Sequence, residues 1–151
     1  MKFFKANESS GSLQLLNEKE ERMGELLFGF IGGLNDRIKI GDEVYAIKGT
    51  GFLWMGTNIF DAYGRLVLKI DASKSRIFYY GETTEIYTYQ YKGWLSKTLN
   101  LYNWEDQLLV SLHHKQKFLK TIYTVEIDED FNNSIIILSF LSFYHTWLSS
   151  G

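Results

Sequence analysis

The chain has 151 residues, no cysteine and no proline, which fits one domain spanning 1–151. Zero cysteine excludes a disulfide scaffold, a thiolate metal site and a cysteine nucleophile, and zero proline excludes Pro-rich linkers. With 45% hydrophobic and 17% aromatic residues and a formal charge of −2, the chain is packed and globular, without the basic footprint of a nucleic-acid binder.

In chain order, residues 1–11 begin basic but have no apolar core behind them, which makes a poor secretory signal. The expected location is the cytoplasm, at most at a membrane periphery. Residues 1–35 admit two readings. Leu13, Leu16, Glu20 and Met23 suit a short amphipathic helix, whereas Leu13-Gln14-Leu15 suits a strand before a charged turn. The whole segment also reads as a less regular N-terminal arm. Glu25 to Ile31 suits a strand closing at Gly32-Gly33.

From Arg37 to Ile127 short strands follow one another. Leu66, Leu68 and Ile70 alternate with Val67 and Lys69, and Tyr87, Tyr89 and Tyr91 alternate with Thr88 and Gln90. A further run alternates from Phe118 and Leu119 through to Ile127. Turn chemistry separates the runs at Gly41-Asp42, Asp61 to Gly64, Asp71 to Lys74, Gly81-Glu82 and Asn103 to Asp106. Connections this short leave no room for parallel crossovers, so the sheet is antiparallel.

The last segment changes character. Asp128-Glu129-Asp130 and Asn132-Asn133-Ser134 precede an apolar run from Ile135 to Leu148, which is how a helix N-terminus reads, with Asn133 or Ser134 as cap. As a helix, residues 135–148 span about 21 Å, short of the roughly 30 Å of a bilayer core. Apolar side chains cover nearly its whole circumference, so it must be buried all round. In a one-domain β protein that means a helix threaded through, or fully sandwiched by, the sheet.

Residues 51–70 align without gaps to residues 93–112: Gly51 with Gly93, Leu53 with Leu95, Asn58 with Asn100 and Leu66 with Leu108 are identical. Asp61 matches Asn103, and upstream Glu43 and Tyr45 match Glu85 and Tyr87. Each copy reads as strand, Asx turn, strand, and the register indicates an internal duplication.

The run from Ile59 to Ile70, its weaker copy at 101–112 and the closing apolar helix resemble the LURP-one-related proteins, which group with phospholipid scramblases and the tubby C-terminal domain. The resemblance covers about residues 36–149. It implies a closed antiparallel β-barrel of about twelve strands around a central C-terminal helix. The chain lacks the Pro-rich and Cys-rich segments of scramblases and a counterpart of tubby's phosphoinositide-binding basic motif. What the resemblance implies for function is therefore binding of membrane lipid or protein, as a tendency of the group.

Candidate sites are few. Adjacent His113 and His114 on a strand point to opposite faces, unsuited to one metal, and His145 sits among apolar helix positions. Glu126 and Asp128 to Asp130 lack the order of a calcium loop and read as helix-start charges. Trp54, Phe60, Tyr63, Tyr102 and Trp104 cluster around hairpins as cross-strand packing. No phosphate-loop, zinc or nucleophile-elbow motif is present, so no catalytic residue, metal or cofactor is expected. Lys74, Arg76, Lys115, Lys117 and Lys120 form the one basic concentration, and they are the candidates for binding anionic lipid headgroups. The expected function is a non-catalytic interaction module meeting an anionic membrane surface or a protein partner. The alternative is a small β-barrel carrier of an apolar ligand, and the two differ in what fills the barrel.

Overall fold

The computed structural model describes residues 1–29, 35–50 and 56–150. The duplicated stretch 51–55, Trp54 and the Gly32-Gly33 turn therefore lie outside the described residues. Twelve strands are described. The first four are β1 (Lys2–Ser9), β2 (Ser12–Leu16), β3 (Arg22–Leu27) and β4 (Arg37–Ile40). Then come β5 (Glu43–Thr50), β6 (Gly56–Phe60), β7 (Leu66–Asp71) and β8 (Arg76–Tyr80). The wall ends with β9 (Thr84–Lys92), β10 (Thr98–Tyr102), β11 (Leu108–Lys117) and β12 (Lys120–Ile127), and α1 (Ser134–Ser150) follows. Every neighbour pair is antiparallel, and β1 pairs with β12 from Lys2↔Ile127 to Asn7↔Ile122, which closes the barrel.

α1 occupies the lumen. Ile136, Leu138, Phe140, Leu141 and Tyr144 are completely buried, and at about 1.5–3 kcal/mol per buried apolar side chain the helix is a principal part of the core. Its neighbours come from all round the wall: Gly24 of β3 faces Leu138, Tyr89 of β9 packs against Phe140 and Phe143, and Tyr123 of β12 packs against Tyr144. Asn133 is the cap, its Oδ1 accepting the Ile136 N–H at 3.1 Å. Among the described residues no helix is long and apolar enough to cross a membrane.

Residues 2–27 do not form a loose arm. They supply three barrel strands, so the helical reading of Leu13 to Met23 gives way to β2, a turn and β3. The reason is closure: without β1 the edges of β2 and β12 would leave their backbone groups unpaired. The Phe118–Ile127 run is also corrected. Pairing of β11 with β12 ends at Lys117↔Lys120, so Phe118 and Leu119 form the connector rather than the start of a strand.

The duplication extends to a third copy. Asp61 Oδ1 accepts the N–H groups of Tyr63 and Arg65, both at 2.9 Å, and Asn103 Oδ1 accepts those of Glu105 and Gln107, both at 2.9 Å. Asn17 Oδ1 does the same for Lys19 and Glu21, again at 2.9 Å. In each turn the residue three positions on has a positive φ: Glu20 at 62°, Gly64 at 81° and Asp106 at 60°. These turns join β2 to β3, β6 to β7 and β10 to β11, so the wall is three successive four-strand units.

Candidate functional site

In an up-and-down barrel the connectors alternate between two ends. α1 starts after β12, so the turns at residues 17–21, 61–65 and 103–107 share its entry end, and its C-terminus leaves at the exit end. Charge follows this division. The acidic runs at 18–21, 105–106 and 128–130 open on the entry end. Lys74, Arg76, Lys115, Lys117 and Lys120 border the β7–β8 and β11–β12 connectors, both at the exit end.

These five residues form two groups. Three strand spacings separate β8 from β11, roughly 14 Å along the wall. Lys74 and Arg76 line a groove of about 650 Å³ with Thr88, Gln90 and Asp106. Arg76 pairs with Thr88 and Thr88 with Tyr102, so strand stagger sets this pair beside the acidic β10–β11 turn rather than apart from it. Lys115, Lys117 and Lys120 are exposed on the hairpin of β11 and β12. The β9–β10 connector adds Lys92 and Lys97 to the exit end beside the second group. Residue order alone concealed them, because each is isolated in the sequence and the pairing of β10 with β11 brings their connector next to the β11–β12 hairpin.

The apolar residues of this end were also hidden. Phe118 is 95% and Leu119 101% exposed, and Trp94 and Leu95 of the β9–β10 connector are 86% and 78% exposed. Of the hairpin aromatics, Tyr63 and Trp104 are exposed at the entry end, whereas Phe60 and Tyr102 are half-buried on the wall. Positive φ at Phe118, Gly93 and Lys97, a backbone property, marks these exit-end connectors as tight turns.

Inside the exit end lies a polar cluster. Tyr144 of α1 donates to the Lys97 carbonyl at 2.5 Å, and the same phenol lies 2.9 Å from His114 Nδ1. Because the phenol hydrogen is committed to Lys97, His114 Nδ1 is the donor of that pair. His145 stacks on Phe28 at 4.6 Å, with its Nδ1 2.7 Å from the Tyr123 phenol and 3.4 Å from Glu8 Oε1. Burial pushes the His145 imidazole down, against the opposing pull of Glu8 and Asp36. Burial, and then Lys97, also pushes His114 down. The two adjacent histidines point to opposite faces, with His113 on the outer wall.

There Ser111 Oγ donates to Asn100 Oδ1 at 2.5 Å and lies 3.0 Å from His113 Nε2. Glu126 approaches that same nitrogen at 3.7 Å, whereas Nδ1 faces Thr98 at 3.2 Å. A nucleophile relay needs its carboxylate on the ring nitrogen opposite the hydroxyl, so this network is a wall fastening rather than a relay. Among the described residues no three His, Asp or Glu side chains gather as metal ligands.

No protein-family model and no curated protein matches the chain. A solved X-ray structure of a protein from Arabidopsis thaliana is similar to it, at 14% identity and a TM-score of 0.39, over 96% of this chain and 90% of that one.

Proposed function

We propose that the protein is a non-catalytic interaction module of the tubby-like type, LURP-one-related, that docks on anionic membrane-lipid headgroups through the exit end of its barrel. The carrying observation is the placement of Lys115, Lys117 and Lys120, with Lys92 and Lys97, on the β11–β12 and β9–β10 connectors of one barrel end, with the acidic runs at 18–21 and 128–130 at the other. A module so polarised orients itself before contact, and each lysine near an anionic leaflet contributes about 1 kcal/mol. The tubby-like reading draws its support from the central helix within a closed barrel. This function places the protein at the cytoplasmic periphery of a membrane.

Carriage of an apolar ligand is the weaker reading, since Leu138, Phe140, Leu141 and Tyr144 fill the lumen that cargo would need. The test is co-sedimentation with phosphatidylcholine vesicles, with and without phosphatidylserine, at low and high salt. Binding should require phosphatidylserine, fall with salt, and fall further in a Lys115→Glu, Lys117→Glu, Lys120→Glu variant. Absence of binding at both salt concentrations rejects the proposal, as does binding that ignores charge reversal.

A further inference from the structure

The β11–β12 connector breaks the chemistry of its own turn. Only two residues, Phe118 and Leu119, follow the last pair Lys117↔Lys120, and Phe118 holds φ at 57°. A two-residue hairpin whose first central residue has positive φ is a place for glycine, because a β-carbon there crowds the backbone. A phenylalanine and a leucine occupy the turn instead, and both side chains stand in solvent. Neither folding nor packing accounts for them, and an outlier of this kind points to use.

The neighbouring connector repeats the arrangement. Gly93 to Lys97 forms a tight loop closed by the Lys97 N–H donating to the Gly93 carbonyl at 2.7 Å, with Trp94 and Leu95 exposed on it. β10 pairs with β11 as far as Leu99↔Leu112, so both connectors lie at the exit end and the β11–β12 hairpin, with residues 113–117 beyond that pairing, projects further. Both are tied to the central helix by one group, the Tyr144 phenol, which holds the Lys97 carbonyl of one hairpin and His114 of the other. The tips are therefore carried on the core.

Lysines stand just behind them. Lys117 and Lys120 flank one tip, Lys92 and Lys97 flank the other, and Lys115 lies two residues behind Lys117. At about 3.3 Å per strand residue, the Cα atoms of Lys117 and Lys120 fall about 3 Å, and that of Lys115 about 10 Å, behind the β11–β12 tip. That is the depth profile of an interfacial anchor, with apolar groups at the acyl boundary and cations among the headgroups. Protein interfaces have a different pattern, in which lysine is depleted.

We infer that the exit end is a bilayer-inserting face led by the β11–β12 tip: Phe118 and Leu119 enter the headgroup–acyl boundary of an anionic leaflet, Trp94 and Leu95 follow behind them, and the flanking lysines hold its headgroups. This rests on the proposed function and adds to it a depth, an orientation and a set of apolar residues.

Because the chain has no cysteine, single probes can be placed cleanly. Phe118→Cys and Trp104→Cys variants would each carry an environment-sensitive fluorophore and be mixed with phosphatidylcholine–phosphatidylserine vesicles, with or without brominated acyl chains. Trp104 is the control, 82% exposed but on an entry-end turn. The probe at 118 should shift to the blue and be quenched by bromine, whereas the probe at 104 should do neither. A Phe118→Gly, Leu119→Asn variant should melt no lower than the parent while binding these vesicles at least about tenfold more weakly.

Vesicle binding with the probe at 118 still in water overturns insertion and leaves headgroup docking standing, whereas no vesicle binding removes both. Equal quenching at 118 and 104 overturns the orientation. Emission at 118 that responds to protein concentration rather than to vesicles makes the tips a protein interface and also overturns the inference.

Discussion

Gly24 of β3 faces Leu138 of the central helix so closely that a β-carbon at position 24 would overlap the leucine's Cδ1, with the Lys39 carbonyl 3.2 Å away on the other side. Leu138 is completely buried, so it has no free space to turn into. The missing side chain is thus what lets helix and wall approach. Gly24→Ala should cost about 1–3 kcal/mol, and Gly24→Val more, measured by urea denaturation. An alanine variant as stable as the parent would show that the helix sits less firmly than this contact requires.

The three Asx turns make a second prediction. Asn103→Ala removes the acceptor for the N–H groups of Glu105 and Gln107 and should cost about 1–2 kcal/mol. Asn103→Asp keeps that acceptor, as Asp61 does in its own copy, and should leave stability nearly unchanged. A loss of equal size in both variants would mean that the turn depends on something other than the shared oxygen.

These turns also show which parts of the fold were legible in the sequence. Asp61 to Gly64 announces itself because a glycine takes the positive φ, and Asn103 becomes visible by alignment to it. The Asn17 turn places Glu20 at φ 62°, a residue that signals nothing. β1 is masked in another way, since it exposes Phe3 and turns Glu8 toward His145, which breaks the apolar-in, polar-out alternation that Phe4, Lys5, Ala6 and Asn7 keep. The buried helix was plain because an all-apolar circumference must be covered on every side, whether by threading the sheet or by being sandwiched in it. Of the site, the lysines that lie close in sequence were legible. Lys92 and Lys97 were not, since the pairing of β10 with β11 brings their connector to the hairpin, and Phe118 and Leu119 read as strand because hydrophobic residues at a turn tip imitate one.

Acidification should weaken the fold through His114 and His145. Both imidazoles are held below their ordinary value by burial, so near pH 7 each is neutral in the folded chain, and on acidification the unfolded chain takes up protons first. The contribution is complete above the ordinary histidine pKa of about 6.5 and is lost as pH falls through that value toward each depressed folded one. Melting temperature should drop between about pH 7 and about pH 5. A His114→Gln, His145→Gln variant should show a flatter profile over the same range. A parent profile already flat there would contradict the burial of both rings.

Ser139 is 1% exposed in the middle of α1, and its Oγ finds no hydrogen-bond partner among the described residues. A buried hydroxyl left unpaired is unfavourable, and alanine is the better helix former. Ser139→Ala should therefore raise stability by about 1 kcal/mol, seen as a higher urea midpoint with an unchanged slope. A destabilised alanine variant would show that the hydroxyl is in use.

Tyr144→Phe separates the structural role of this phenol from its mechanical one. The ring stays buried beside Tyr123 and Trp147, but the Lys97 carbonyl loses its donor and His114 Nδ1 its acceptor. Leaving those groups unpaired should cost about 1–3 kcal/mol overall. The local effect should be larger than the global one, because the phenol is the shared fastening of two hairpins whose tips are otherwise solvent-exposed. Amide hydrogen exchange should accelerate most at Lys97, whose N–H closes the Gly93–Lys97 loop, while the amides of the Asn17, Asp61 and Asn103 turns at the far end keep their parental rates. Uniform acceleration across the barrel would make Tyr144 an ordinary core residue. Acceleration confined to the exit end would identify it as the link through which the helix sets the position of the Trp94 and Phe118 connectors.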